Sequence, residues 1–494
     1  MQLSIKVKGP FSRKLHRLHA RRNTLYYLLI TFTLIAVFFL CIGCSSPISP
    51  PVPVATKTIV GRTTTYYVSK NGNNANGQSW ATAWNELANI NWSVIQPGDT
   101  ILLDGGSQSM AYSTTLTVGK SGTQTAPITI KRATNAGHNG TVILFGGRST
   151  LLPYCGQKNY RYQPAPTSLG IVFGASSWIV IDGMSWDGIS IHGFNDNGID
   201  MTGSPGNDTL RNIEIYENGS AQQSGGTWNP ESGSHGIYLT GSNLTFERMN
   251  IYDNSDDEFD TGEAAGINNV TINYSWMHVT RESPLAPGLP FNDCTHQDGY
   301  QIYNGGVQKH LLIENSVVGP GLGENFILGQ SPNSANDHAV VNDVTLRNVL
   351  TIGKDRNILG YPQVLETGWV IDHVTAITQG SGISGGTYEA LFLQGSNNRV
   401  TNSIFYDGLI YLPDGLVKAA GNCQWKTTGD TSALGGQTVN PQFTTDISSY
   451  NYNTPLATTA NADYALRLAS TCKGAGSSIT SVNRFLQLVS GTTP

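Results

Sequence analysis

Short apolar strand patterns recur along the middle of this chain, and their recurrence constrains the fold more than any other feature. Each pattern has apolar residues at its first and third positions, as a half-buried strand requires. The strand cores are Ile179–Ile181, Ile213–Ile215, Leu244–Phe246, Val270–Ile272, Leu311–Ile313, Val344–Leu346 and Trp369–Ile371, with a weaker one after Arg399. They follow one another roughly every 25 to 40 residues, which is the period of a parallel β-helix coil with insertions.

A second apolar position recurs ahead of these cores and strengthens the alignment. Its members are Ile199, Ile237, Phe259, Tyr300, Phe326 and Leu391. Asn residues also follow several cores, and Asn side chains stacked in tight turns bond one another in successive coils. An antiparallel sandwich is the alternative fold, but it would require hairpin turns and not this repetition. We therefore predict an all-β chain that folds as a single-stranded right-handed parallel β-helix.

The composition agrees with this fold and excludes several classes of protein. Charged residues make up 13% of the chain and Gly numbers 56, which fits many tight turns and excludes coiled coils and acidic disordered proteins. The first 43 residues carry seven basic side chains and no acidic ones, so the remainder has 22 basic against 34 acidic residues. An acidic body argues against nucleic acid as a partner.

The N-terminal 44 residues are predicted to export the rest of the chain. Leu25 to Gly43 is apolar, uncharged and long enough to cross a bilayer, and the basic flank keeps the N-terminus in the cytoplasm. The stretch Gly43-Cys44-Ser45-Ser46 resembles the cleavage box of bacterial lipoproteins, although Cys41 stands where Leu is usual. This resemblance implies that Cys44 is lipidated at the membrane. An uncleaved signal anchor and a cleaved signal peptide are the alternatives.

The folded body follows a Pro-rich linker over residues 45–63 and spans residues 64–494. Near its start, a strand, a Gly-rich loop, an aromatic helix predicted over Trp80–Ile95 and a Pro-Gly-Asp-Thr turn precede the next strand. This order resembles the N-terminal cap of right-handed parallel β-helix proteins of the pectate-lyase-like superfamily. The resemblance implies a cap over residues 64–105, coils over 106–420 and a closing cap over 421–494, and a short helix is predicted over Ser481–Val489.

Four cysteines remain in the exported body, where disulfides are permitted. Cys423 and Cys472 both lie near the C-terminal end and are candidates to pair with each other. The other two are Cys155 and Cys294, and four cysteines allow three connectivities.

An acidic cluster around Phe259 marks one coil as different from the others. In several coils, polar residues stand two places before the second apolar position and one place after it. On a strand, the side chains next to an inward-facing residue point outward. The first set is Asn197, His235, Asp257, Asp298 and Glu324, and the second is Asp200, Tyr238, Asp260 and Gln301. Packed carboxylates repel one another, and a cation would relieve this. We predict that Ca²⁺ binds here, with oxygen ligands from Asp257, Glu258, Asp260 and Asp298.

The alternative is that these acids only stabilise turns.

Further side chains near this cluster are candidates for catalysis and substrate binding. His278 and His296 are predicted to act as bases, and Arg281 is predicted to hold a substrate carboxylate in a bidentate contact. The residues predicted to contact substrate are Gln301, Tyr300, Tyr238 and Glu324.

The stretch from Asn254 to Val279 is similar to a pectate lyase pattern in which an Asp-rich strand precedes an aromatic residue and a His. The similarity implies that Asp256, Asp257 and Asp260 occupy calcium-ligand positions and that His278 lies near the end of a strand. The basic residues of pectate lyases have no firm counterpart here, and Arg281 is the nearest. We predict an exported, cell-surface, monomeric polysaccharide lyase that acts on an acidic polysaccharide by β-elimination. A glycoside hydrolase on the same fold and a non-catalytic glycan-binding surface protein are the alternatives.

Overall fold

Parallel strands stacked coil upon coil make up the body of the protein. The computed structural model describes residues 63–261, 266–285, 288–295, 297–302, 307–329, 340–360, 365–379 and 388–491. The described residues belong to one compact unit. The predicted signal segment, Cys44 and most of the linker lie outside the described residues. In the described part, no helix is long and apolar enough to cross a membrane.

Three parallel sheets form the faces of the coil, and several long strands bend from one sheet into the next and join them into one continuous 32-stranded sheet. The first sheet contains Leu116–Thr117, Ile171–Val172, Ile199–Asp200, Ile237–Leu239, Phe259–Thr261, Asp298–Ile302, Glu324–Leu328, Arg356–Gly360 and Glu389–Phe392. The second contains Thr65–Val68, Thr100–Leu103, Ile128–Arg132, Ile179–Asp182, Gly266–Asn273, Val307–Glu314, Val340–Arg347, Leu365–Thr367, Val370–Asp372, Arg399–Thr401 and Lys418–Ala420. The third contains Ser109–Tyr112, Thr141–Phe145, Ile189–His192, Trp276–His278, Val317–Val318, Leu350–Gly353, Thr375–Thr378 and Gln437–Thr438.

Four long strands connect these sheets around the corners of the coil. They are Thr209–Tyr216, Ser242–Tyr252, Ile404–Tyr411 and Cys423–Gly429. A separate antiparallel sheet stands outside the coil and contains Gln157–Lys158, Ala221–Ser224 and Thr227–Pro230.

The second apolar position predicted from the sequence is a column of stacked core residues. Ile237 lies in register with Ile199 on one side and with Phe259 on the other, and Phe259 lies in register with Tyr300. The column continues through Phe326, Ile358 and Leu391. All of these side chains are buried, so the same position of each coil faces the core. The predicted right-handed parallel β-helix is confirmed.

Two sequence interpretations were wrong at the level of single elements. The core Ile213–Ile215 lies in the third sheet, and Leu210 takes the matching position beside Ile181 in the second. The predicted helix over Trp80–Ile95 is reduced to one 3₁₀ turn, Leu87–Asn89. The reason is that the backbone of Trp84 is bonded to the first strand, since its N–H donates to the Tyr67 carbonyl at 3.1 Å. Trp84 is nevertheless buried and stacks on Tyr66.

The C-terminal segment folds back along the outer face of the third sheet. Its apolar side chains, including Phe443 and Phe485, form a second buried cluster with Ile352 and Ile377 of that sheet. The predicted short helix is confirmed as Val482–Ser490, and the Ser481 hydroxyl accepts a hydrogen bond from the Arg484 N–H at 3.1 Å as its N-cap.

Cross-coil links hold successive turns together. The predicted Asn stacking is confirmed, because the Asn315 amide donates to Asn273 and the Asn348 amide donates to Asn315, at 3.1 and 2.8 Å. Disulfides join Cys155 to Cys294 and Cys423 to Cys472, which selects one of the three possible connectivities.

Asp208 is expected to make the stability of the coil depend on pH. Its Oδ1 accepts the Ile179 N–H at 2.7 Å, its Oδ2 is buried with no hydrogen-bond partner among the described residues, and burial raises its pKa to about 7. Since this pKa is raised, its contribution to stability is complete below the unfolded value near 4 and is lost as the pH rises through 7. We expect Asp208→Asn to raise the free energy of unfolding at pH 8 by about 2–4 kcal/mol.

Urea denaturation of both proteins from pH 4 to pH 8 checks this expectation. The difference between Asp208→Asn and the parent should grow with pH, whereas the exposed control Asp343→Asn should show no such growth. Parallel pH curves for Asp208→Asn and the parent would rule out the titration of Asp208.

Candidate functional site

A column of polar side chains runs along the edge where the strands of the first sheet begin. Each member stands two residues before the stacked apolar position, so the coil register places the members side by side. The column contains Asn197, His235, Asp257, Asp298, Glu324, Arg356 and Glu389. Asp298 pairs directly with Glu324, and Glu324 pairs directly with Arg356.

Side chains of this column cap the backbone of the coil that follows. Oδ1 of Asn197 accepts the His235 N–H at 2.8 Å. Oδ1 of Asp257 accepts the Asp298 N–H at 2.8 Å, and Oδ1 of Asp298 accepts the Glu324 N–H at 3.0 Å. One oxygen of each carboxylate therefore stabilises a turn, as the alternative interpretation of these acids requires. The second oxygen of Asp257 is directed to other side chains.

The second oxygen of Asp257 belongs to a compact group that we call the His235 cluster: His235, Asp256, Asp257, Asp260 and Asp298. His235 Nδ1 lies 3.6 Å from Asp257 Oδ2, and His235 Nε2 lies 3.3 Å from Asp260 Oδ2. Asp256 Oδ2 accepts the Gly233 N–H at 2.5 Å. His235, Asp256 and Asp257 each offer one donor atom within 4.8 Å of the others.

Burial shifts the pKa values of His235, Asp256, Asp257 and Asp298. Burial raises the pKa of Asp256 to about 7. Burial, followed by repulsion from Asp256, Asp298 and Asp260, raises the pKa of Asp257 well above its ordinary value. Burial and then Glu324 raise the pKa of Asp298 in the same way. Burial lowers the pKa of His235 to about 3, so its imidazole is neutral at physiological pH.

The donor set of the cluster fits a divalent cation. No Lys or Arg nitrogen lies within 4.0 Å of the Asp256 or Asp257 carboxylates in the part of the chain that the structure describes. Neutral His235 has no hydrogen-bond partner at Nδ1 among those residues, so a ring nitrogen is free to act as a ligand. A cation bound between these side chains would offset both the repulsion and the burial that raise their pKa values.

The predicted ligand Glu258 does not face this cluster. Its side chain is fully buried and accepts hydrogen bonds from Asn254 Nδ2 at 2.5 Å and Gln297 Nε2 at 2.7 Å. The chain turns into the strand at this residue, so the alternation that holds inside a strand does not yet apply to it. The interpretation that placed Glu258 on one outward face with Asp260 was wrong.

Three predicted substrate contacts lie near the cluster, and one does not. Gln301 is in register with Asp260, and its Nε2 donates to Asp298 Oδ2 at 3.1 Å. The Tyr238 ring stacks 5.6 Å from the His235 ring. Glu324 is ion-paired with Arg356. Tyr300 is a stacked core residue with no exposed surface, and its hydroxyl donates to Gln308 at 2.7 Å, so the predicted sugar contact was wrong.

Two predicted catalytic residues lie away from the cluster. His278 belongs to the third sheet, where it is buried between aromatic rings and its Nε2 lies 3.1 Å from Asn250 Oδ1. Arg281 is ion-paired with Glu217 and lies over the Phe291 ring at 4.1 Å. Both side chains pack against other described residues and do not contact the His235 cluster. His296 lies outside the described residues.

The sequence interpretation assigned no role to His235 and did not place Arg356 in the column. The signal for His235 was present, because it stands in the same column as Asp257. Asp256 was placed only through the family resemblance. Arg356 precedes Ile358, an apolar position between Phe326 and Leu391 that the predicted second column did not include.

Comparisons with known proteins found similarity of fold only. No family model and no curated protein matches this sequence. The pectate lyase Pel9A is 17% identical with a TM-score of 0.45, over 83% of this chain and 91% of that one. An alginate lyase from Paenibacillus sp. str. FPU-7 is 15% identical with a TM-score of 0.35, over 71% and 93%. A polygalacturonase from Erwinia carotovora ssp. carotovora is 13% identical with a TM-score of 0.32, over 80% and 98%. At these values the similarity carries no argument about activity.

Proposed function

We propose that this protein is a polysaccharide lyase that cleaves an acidic polysaccharide by β-elimination at the His235 cluster. One observation supports the proposal most: buried carboxylates and a neutral imidazole converge at one edge of the first sheet, and no Lys or Arg among the described residues pairs with Asp256 or Asp257. Such a group favours a cation, and a cation-loaded acidic site favours an anionic substrate.

The residues of the cluster would divide into ligands and positioning groups. Asp256 and Asp257 would hold the cation through carboxylate oxygens, with Asp260, Asp298 and the neutral His235 beside them. Ca²⁺, the ion that the sequence analysis predicts, would supply positive charge that neutralises a uronate carboxylate and acidifies the adjacent ring proton. Gln301, on the strand next to Asp260, would donate a hydrogen bond to the sugar. His296 keeps its predicted role as the base that removes the ring proton.

We also propose that the body is exported and remains membrane-anchored as a monomer, through Leu25–Gly43 or a lipid on Cys44. The two disulfides support this localisation, since disulfides persist in oxidising compartments.

Product analysis tests the proposed reaction. The purified body is incubated with polygalacturonate, alginate and a neutral glucan, each with Ca²⁺ or with EDTA. A lyase produces an unsaturated end that absorbs ultraviolet light, and we expect this absorbance with a polyuronide and Ca²⁺ only. New reducing ends without the absorbance would instead indicate a hydrolase, which the pKa of about 7 of Asp256 would suit as a general acid. Binding without any product would indicate a glycan-binding protein.

A further inference from the structure

A cavity opens beside the polar column, between the first sheet and the C-terminal segment. Its volume is about 280 Å³, and its walls include Gln297, Glu324 and Lys354 on the polar side and Leu322 and Tyr452 on the apolar side. This volume is at the lower end of small-molecule pockets, and mixed polar and apolar walls suit a single sugar unit.

Lys354 gives this cavity a buried positive charge. The side chain is 2% exposed, and Nζ donates to the carbonyls of Tyr452 at 3.0 Å and Thr454 at 2.6 Å. Among the described residues no carboxylate lies within 4.0 Å of Nζ. An ammonium group has three donors, so one remains for a ligand. Glu282 attracts this ammonium only from beyond 4.0 Å, and an anion in the cavity would offset more of the cost of burying the charge.

Gln297 supplies a hydrogen-bond acceptor in the same cavity. The side chain is 1% exposed, and its Nε2 is held by Glu258 Oε1 at 2.7 Å. Its Oε1 is buried and has no hydrogen-bond partner among the residues that the structure describes. A sugar hydroxyl entering the cavity would satisfy this oxygen.

Coil geometry places the cavity next to the His235 cluster. Glu324, on the cavity wall, is the column neighbour of Asp298, and successive strands lie about 4.8 Å apart. The other basic side chain here, Arg356, is ion-paired with Glu324 and with Glu389. Lys354 is therefore the cation of this wall that makes no ion pair within 4.0 Å among the described residues.

We propose that this cavity binds one acidic sugar unit of the polysaccharide, with Lys354 contacting its carboxylate and Gln297 accepting a hydroxyl. The inference rests on the proposed function and deepens it. Lys354 would make this subsite, adjacent to the His235 cluster, prefer a charged sugar unit over an esterified one.

Binding measurements on the purified body test this subsite separately from catalysis. Affinity electrophoresis in EDTA uses polygalacturonate, alginate and fully methyl-esterified pectin as probes. We expect Lys354→Met to weaken binding of at least one polyuronide about tenfold and to leave binding of the ester unchanged. The exposed control Lys309→Met should change neither. Equal effects on charged and esterified probes, or no polyuronide binding by the parent, would overturn the proposal.

A second variant decides the question if Lys354→Met does not fold. Asp293 is exposed at the cavity wall, so Asp293→Asn removes a negative charge without disturbing the core. We expect this variant to bind the polyuronide about two- to threefold more tightly than the parent and to bind the ester with unchanged affinity. An equal or absent change would count against the subsite. If charge-selective binding persists without any unsaturated product, the lyase proposal fails and the subsite stands.

Discussion

The double variant Asp257→Asn with Asp260→Asn is expected to lose uronide cleavage by at least about 10²–10³-fold while remaining folded. Both side chains belong to the His235 cluster, and their removal takes away two of its negative charges. Asn at position 257 can still accept the Asp298 N–H, so the turn is preserved. Because burial and neighbouring carboxylates raise the pKa of Asp257, the melting temperature at pH 8 should stay the same or rise.

Thermal unfolding with and without Ca²⁺ supplies a measurement that does not depend on turnover. The parent should melt at a higher temperature with Ca²⁺, because a ligand that binds only the native state stabilises it. The double variant should show no such shift. A matched control, Asp343→Asn with Asp414→Asn, removes two exposed carboxylates and should keep both activity and the shift. Full activity in the double cluster variant would refute the proposed site.

Glu217→Ala is expected to lower the free energy of unfolding by about 3–5 kcal/mol, because it leaves a buried arginine without its carboxylate. Glu217 is ion-paired with Arg148, whose side chain is 1% exposed, and with Arg281. Its Oε2 also accepts the Leu152 N–H at 2.8 Å. Urea denaturation at pH 7 measures the loss, and Glu217→Gln, which can retain the Leu152 contact, should lose less.

A variant of Arg281 decides whether this side chain stabilises the structure or contacts the substrate. If Arg281 stabilises the structure through Glu217 and the Leu152 carbonyl, Arg281→Met should lower stability and leave KM for a polyuronide unchanged. A raised KM without any loss of stability would instead restore the predicted substrate contact.

Much of the coil register was predictable because the apolar column is a local pattern repeated in every turn. Stacked residues such as Ile237, Phe259 and Tyr300 were aligned from spacing alone, and with them the polar pair Asp260 and Gln301. The prediction was wrong where the backbone leaves the strand. Glu258 and Trp84 show this, because a turn or a bridge to another strand replaces the local alternation.

The sequence by itself determined the solenoid and the edge on which the acids lie, since burying one apolar face per coil leaves a single way to stack the strands. Only the tertiary structure decided which charged groups meet. His235 joins Asp257 and Asp260 from an earlier coil, while His278 and Arg281, close to those acids in sequence, lie in other surroundings. The physical reason is that insertions of different lengths separate the coils, so proximity across the stack follows backbone pairing and not distance along the chain.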